Sequence, residues 1–141
     1  MYKKILVPLD NSTTDQAILR HIRPLAKMTG AALVFVHVAE GYAARFQEQL
    51  NLKDSQEIKE DQSYLESRQK EFNKEGFTTK IYLVRGEPAK EILNLAQKEK
   101  CDLIAMSTHG HRFIKDIILG SVAENLRHRT DIPILMIRAI K

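Results

Sequence analysis

With one cysteine in 141 residues, this chain forms no internal disulfide. A lone thiol fits a reducing compartment. Cys101 leads into the apolar run Leu103 to Met106, and no sequence neighbour stands out that would lower its pKa. It reads as a small buried side chain and not a nucleophile. Apolar runs last only a few residues, far short of the roughly 20 that span a bilayer. The opening MYKKILVPLD lacks the long apolar region and small-residue cleavage site of a secretory leader. The expectation is therefore a soluble cytoplasmic protein, with no membrane partner.

Long basic runs are also missing. The net charge of +4 comes from basic residues spread among acids, with no aromatic–basic pattern of the kind that reads RNA. Nucleic acid is not expected as a partner, and a mildly positive surface suits small phosphorylated ligands. Two familiar phosphate motifs are absent. No G-x-x-x-x-G-K-[ST] occurs, Lys115 is misplaced for such a lysine, and no G-x-G-x-x-G follows the first apolar run. No clear residue positions an attacking water, so the pattern favours holding a nucleotide over turning it over. Catalytic residues are accordingly assigned to none.

What is present is an alternation of short apolar runs and amphipathic stretches. An apolar content of 43% with 28% charged residues is that of an ordinary globular protein, and 1–141 fits one domain. Strands are predicted at Lys3 to Leu9, Ala32 to Val38, Phe77 to Arg85, Leu103 to Met106 and Ile132 to Ile137. A first helix follows Asn11 and Ser12, with Asp15 completing a pattern like a capping box. Ala17, Ile18, His21, Ile22, Leu25 and Ala26 lie on its apolar side, Pro24 should kink it or remove a bond, and Gly30 should end it. Glu40 to Asp54 shows no clear periodicity. Ser55 to Lys74 carries one narrow stripe of Ile58, Leu65 and Phe72, ended by Gly76. Pro88 opens a helix with Ala89, Ile92, Leu93 and Ala96 inward, and Ser121 to Arg129 forms the last. This β-α repeat with near-continuously apolar strands predicts a doubly wound, Rossmann-like α/β fold. Its five-stranded parallel sheet has order 3-2-1-4-5 and helices on both faces.

Such sheets bind ligands at the carboxyl ends of their strands, where the order reverses. In this chain those ends are Pro8-Leu9-Asp10-Asn11-Ser12, His37-Val38-Ala39-Glu40 and Met106-Ser107-Thr108-His109-Gly110. Asp10 has two uses: accepting from a ribose hydroxyl or orienting a cation, and capping the helix that follows. Gly110 and the pair Gly120-Ser121 each sit where chain feeds a helix, a place where backbone N–H groups converge on anions. His109 and His111 lack the accompanying ligands of a zinc site, so no metal ligand is assigned. His21 and His37 read as packed histidines.

Ser107-x2-Gly110-x9-Gly120-Ser121 follows the opening VPLDNS and precedes the closing PILMIR. With them it resembles the universal stress protein family over the whole chain. ATP-binding members carry Gly-x2-Gly-x9-Gly-Ser/Thr, and Ser107 stands in place of the first glycine. A glycine there would permit positive φ or close approach of backbone to ligand. Serine matters only if positive φ is required. The resemblance implies ATP as cofactor, with Mg²⁺ or Mn²⁺ left open. It places Pro8, Leu9 and Asp10 on adenine and ribose, Val38 and Met106 by the adenine, and Ser107, His109, Gly110, His111, Arg112, Gly120, Ser121 and Val122 around the phosphates. Arg112 is either a phosphate contact or a solvated side chain. The family also implies a homodimer through strand five (Pro133 to Ile137) and a role in stress response with a regulatory protein partner. Two other readings stay open. One is a nucleotide-independent binding module with a degenerate pocket. The other is a slow ATPase or autokinase with Ser107, Thr108 or Ser121 as phosphate acceptor.

Overall fold

The computed structural model describes residues 1–40, 47–109, 122 and 124–139. In chain order the elements are β1 (Lys4–Pro8), α1 (Asp15–Thr29), β2 (Ala32–Glu40), α2 (Gln47–Lys74), β3 (Thr79–Gly86), α3 (Pro88–Lys98), β4 (Leu103–His109) and β5 (Ile134–Ala139). Residues 124–127, between β4 and β5, are helical. The five strands form one parallel sheet in the order β3-β2-β1-β4-β5, as the sequence predicts.

The central strands are apolar on both faces because both faces are covered. Ile5, Val7 and Leu9 of the β1 region, with Leu33, Phe35, Leu103 and Ala105, pack against Ile18, Leu19, Ile22 and Ala26 of α1 and Leu65 and Phe72 of α2. Alternate residues Leu6, Val34, Val36, Ile104 and Met106 face Ala89, Ile92, Leu95 and Ala96 of α3, together with Val122 and Leu126. At the edge, β3 splits its side chains in the same way. Ile81 and Leu83 join the first cluster, Tyr82 and Val84 the second. Phe72 meets Phe35 edge-on at 5.0 Å between ring centres. The Arg23 guanidinium lies 4.2 Å above the same ring and also pairs with Glu71 and Glu75.

Local signals explain most boundaries. Gly30 ends α1 at φ 71°, returning its N–H to the Ala26 carbonyl at 2.8 Å. Glu87 caps α3 by accepting from the Lys90 N–H at 2.8 Å, with Pro88 in the first turn. Other local expectations fare unevenly. Of the two outcomes foreseen at Pro24 the lost bond is the one present: α1 runs unbroken through it, on the exposed side, where water can bond the carbonyl left without a donor. His21, read as packed, is exposed. The stretch from Glu40 to Asp54, without clear periodicity in sequence, includes the end of β2 at Glu40 and the start of α2 at Gln47. At the start of α1 the capping pattern is met: Ser12 Oγ accepts from the Thr14 N–H at 3.3 Å, and the Asp15 carboxylate accepts from the Ser12 N–H as well as from those of Asp10 and Asn11.

Candidate functional site at the switch in strand order

The chain runs outward from β1 through β2 to β3, then returns to place β4 on the other side of β1. Between β1 and β4 the ladder holds Ile5 opposite Leu103 and Leu6 opposite Ile104, and no further described pair. Each strand continues with its other neighbour. Pairing of β1 with β2 reaches Pro8–Val36, followed by the Leu9 N–H on the Val36 carbonyl at 2.8 Å. Pairing of β4 with β5 reaches His109–Ala139. Pro8 has no N–H to offer β4. The pairing of the two central strands thus ends before their carboxyl ends, while each stays paired with its outer neighbour.

The loop on the β1 side is held from several directions. Asn11 adopts φ 58°, a left-handed conformation that asparagine tolerates better than most residues. This brings successive N–H groups onto one acceptor, the carboxylate of Asp15. Asp10 N–H reaches its two oxygens at 2.9 and 3.1 Å and Asn11 N–H reaches Oδ2 at 2.9 Å. The arrangement is an anion nest filled by the chain's own carboxylate. Tyr64 of α2 donates its hydroxyl to Asp15 Oδ2 at 2.6 Å. Ser12 Oγ donates to Asp10 Oδ2 at 3.1 Å.

Asp61, one turn before Tyr64 on α2, uses both its oxygens. Oδ1 accepts from Asn11 Nδ2 at 2.8 Å, and Oδ2 lies 3.1 Å from His37 Nε2. His37 Nδ1 sits 2.9 Å from the Leu9 carbonyl. Both ring nitrogens of His37 face acceptors, so both contacts are hydrogen bonds only when both nitrogens carry hydrogen. The packed histidine of the sequence reading is instead a bridge between the loop and α2.

Burial shifts the protons of this cluster. Asp15 is 1% exposed, and its pKa is raised by that burial against the opposing bonds from Tyr64 and the Asp10, Asn11 and Ser12 N–H groups. Tyr64 is pushed upward by burial first, then by the Asp15 charge and by the bond it donates.

On the β4 side, Ser107 lies within the strand opposite Ile137. It is fully buried, and its hydroxyl donates to the Thr14 carbonyl at 2.7 Å. Among described non-glycine residues only Asn11 and Lys100 have positive φ, so position 107 does not require glycine's freedom here. A hydroxyl so enclosed is no accessible phosphate acceptor. Met106 is buried in the second cluster, as is Val122. Pro8 and Leu9 are buried, while Asp10 and Val38 are half-buried at the ends of their strands. His109 ends β4. Gly110, His111, Arg112, Gly120 and Ser121 lie outside the described residues. Among described residues no group of three or more His, Cys, Asp and Glu is arranged to hold a metal. Cys101 is buried, and burial pushes its thiol up to about 11, consistent with an inert role.

Sequence reading missed Asp15, Asp61 and Tyr64 as shapers of the site. Asn11 beside Asp10 was the one local hint, since asparagine tolerates left-handed turns.

Comparison with known proteins agrees with this fold. The model of the universal stress protein family matches residues 1–138. Universal stress protein MJ0577 of Methanocaldococcus jannaschii is 31% identical over 98% of this chain and 96% of its own length. A solved structure of MJ0577 has a TM-score of 0.87 at 32% identity, covering 100% of this chain and 99% of that one. The universal stress protein from Archaeoglobus fulgidus in complex with dAMP has a TM-score of 0.71 at 23% identity, covering 96% and 98%. One in complex with cAMP has 0.70 at 19%, covering 99% and 98%. These last two likenesses bear on the fold alone. On its matched residues, its relatives and its strand order, the chain belongs to the universal stress protein family.

Proposed function

We propose that this protein binds ATP in the opening between β1 and β4 and acts as a homodimeric regulator of stress response in the cytoplasm. The observation that carries the reading is the early end of the β1–β4 ladder at Leu6–Ile104, beside a shaped loop that presents Asp10. In this reading Pro8, Leu9 and Asp10 border adenine and ribose, Asp10 accepting from the ribose, while Val38 and Met106 flank the adenine. N–H groups of the β1 loop are spent on Asp15, so the phosphates turn to Gly110, Gly120 and Ser121, with His109, His111, Arg112 and Val122 around them. Mg²⁺ or Mn²⁺ would enter with the phosphates. Related folds in complex with dAMP and cAMP support an adenine nucleotide as the ligand class. Ser107 supports retained binding, because it occupies ordinary strand geometry.

Strand β5 is an edge of the sheet, and Met136 on it is 42% exposed. Pairing this edge with that of a second copy covers an apolar strand that a monomer would leave open. Size measurement at high micromolar concentration should give a dimer, and monomer alone would refute this part.

Freshly purified protein should release ATP or ADP on denaturation, identified by mass spectrometry, and the emptied protein should bind added ATP saturably. Gly120→Val should remove binding and leave the fold intact. Absence of both released nucleotide and titratable binding would favour the nucleotide-independent module. Steady phosphate release over many turnovers would favour the slow ATPase.

A further inference from the structure

Three residues of the β1 loop are held by one helix far away in sequence. Asp61 takes the Asn11 side chain and, through His37, reaches the Leu9 carbonyl. Tyr64 holds the carboxylate that collects the Asp10 and Asn11 N–H groups. Asp61 and Tyr64 lie three positions apart on α2, Asp61 one turn before the fully buried Leu65 and Tyr64 about two turns before the fully buried Phe72, and these two residues fix that helix on the sheet. A carboxylate on a helix surface can be satisfied by water alone. Here both oxygens of Asp61, whose side chain is 18% exposed, are aimed at the loop and its histidine. Asn11 meanwhile sits at φ 58° with its side chain anchored, so the direction of the chain at Asp10 depends on that anchor.

We propose that Asp61 and Tyr64 are positioning residues for the ligand, holding Asn11 in its left-handed conformation and thereby aiming Asp10 at the ribose hydroxyls. This rests on the nucleotide reading above. Helix α2 contributes to sugar specificity without touching the sugar. A single carboxylate–hydroxyl contact is worth about tenfold in affinity.

Two measurements test it. The first compares ATP with 2′,3′-dideoxyATP by calorimetric titration. The natural protein should prefer ATP by about tenfold. In Asp61→Ala that preference should fall to about twofold or less, with dideoxyATP affinity unchanged. Asp61→Asn keeps an acceptor for Asn11 and should retain most of the preference. A merely structural role would weaken both ligands equally, and that result, or an undiminished preference in Asp61→Ala, would overturn the proposal. The second measurement needs no ligand. Amide hydrogen exchange at Asp10 and Asn11 should quicken about tenfold or more in Asp61→Ala and in Tyr64→Phe, with Lys3 and Lys4 unchanged. Unchanged exchange at Asp10 and Asn11 would overturn the positioning role by itself. If the natural protein binds neither nucleotide, the nucleotide reading fails and the ribose role of Asp61 fails with it. Quickened exchange would then still support α2 as the holder of the loop.

Discussion

At each end of the sheet an aspartate captures successive backbone N–H groups, and the two differ mainly in depth. At the amino end Asp102 accepts from Lys3 N–H at 2.9 and 3.2 Å and from Lys4 N–H at 3.2 Å, joining the start of β4 to the start of β1. At the carboxyl end Asp15 collects the Asp10 and Asn11 N–H groups. Asp102 is half-buried, and Lys3 is exposed. Asp15 is buried and takes the Tyr64 hydroxyl as well. One hydrogen-bonding device thus serves two ends. Near water it fastens strands cheaply, and away from water it fixes the shape of a loop, because every unmet bond there carries a full desolvation cost.

The sharpest way to break this comparison is to remove each carboxylate. Asp15→Ala strands the loop N–H groups that it holds and a hydroxyl, and should cost about 4 kcal/mol in chemical denaturation. Asp102→Ala leaves its donors near water and should cost about 1 kcal/mol. Equal losses would show that depth is not what separates the two. Tyr64→Phe removes one donor to Asp15 and should cost about 1.5 kcal/mol.

The pH dependence sharpens it further. Asp15 has its pKa raised in the fold, so between the ordinary carboxylate range and the raised value the folded state holds the proton that the unfolded state has released. Its contribution to stability is complete below about pH 4 and is lost as pH rises through the folded value. Stability against pH in the natural protein and Asp15→Asn should differ by this falling component. Tyr64, also raised, acts likewise at alkaline pH. Stability should begin to fall near pH 10, where unfolded tyrosine ionises, and Tyr64→Phe should fall less steeply. The smallest effect concerns Cys101, next to Asp102 and with its thiol pushed up to about 11. Thiol reagents at neutral pH should react slowly in the folded protein and fast after denaturation. Added ATP should not change the folded rate, since the ligand occupies the other end.

Much of the fold was legible because its signals are local or periodic. Ile5, Leu6 and Val7 are apolar without alternation, which marks a strand covered on both faces, and Gly30 marks a stop that the chain uses at φ 71°. Residues 47–54 were missed as helix because they carry no periodic apolar stripe. Gln47, Glu48, Leu50 and Lys53 are all good helix formers, and propensity alone would have pointed there. At the site, the switch in strand order and the position of Asp10 at the end of β1 were legible from the order of elements. The shaping of its loop did not. Asn11 and Asp61 are 50 positions apart and Asp15 and Tyr64 are 49 apart, and no periodicity connects residues that meet only after the sheet and α2 have packed. Ser107 shows the reverse case. Its departure from glycine was plain in sequence, yet only the strand geometry and the bond to Thr14 show that serine fits without strain.

The central claim is that an adenine nucleotide sits at the carboxyl end of the sheet, between β1 and β4. The most direct measurement is a titration of ¹⁵N-labelled protein with ATP, following backbone amides at both ends of the sheet. Saturable shifts at Asp10, Asn11, Val38 and Ser107, with Lys3, Lys4 and Asp102 unmoved, are the expected result. Shifts confined to the amino end, or none at saturating ATP, would contradict it.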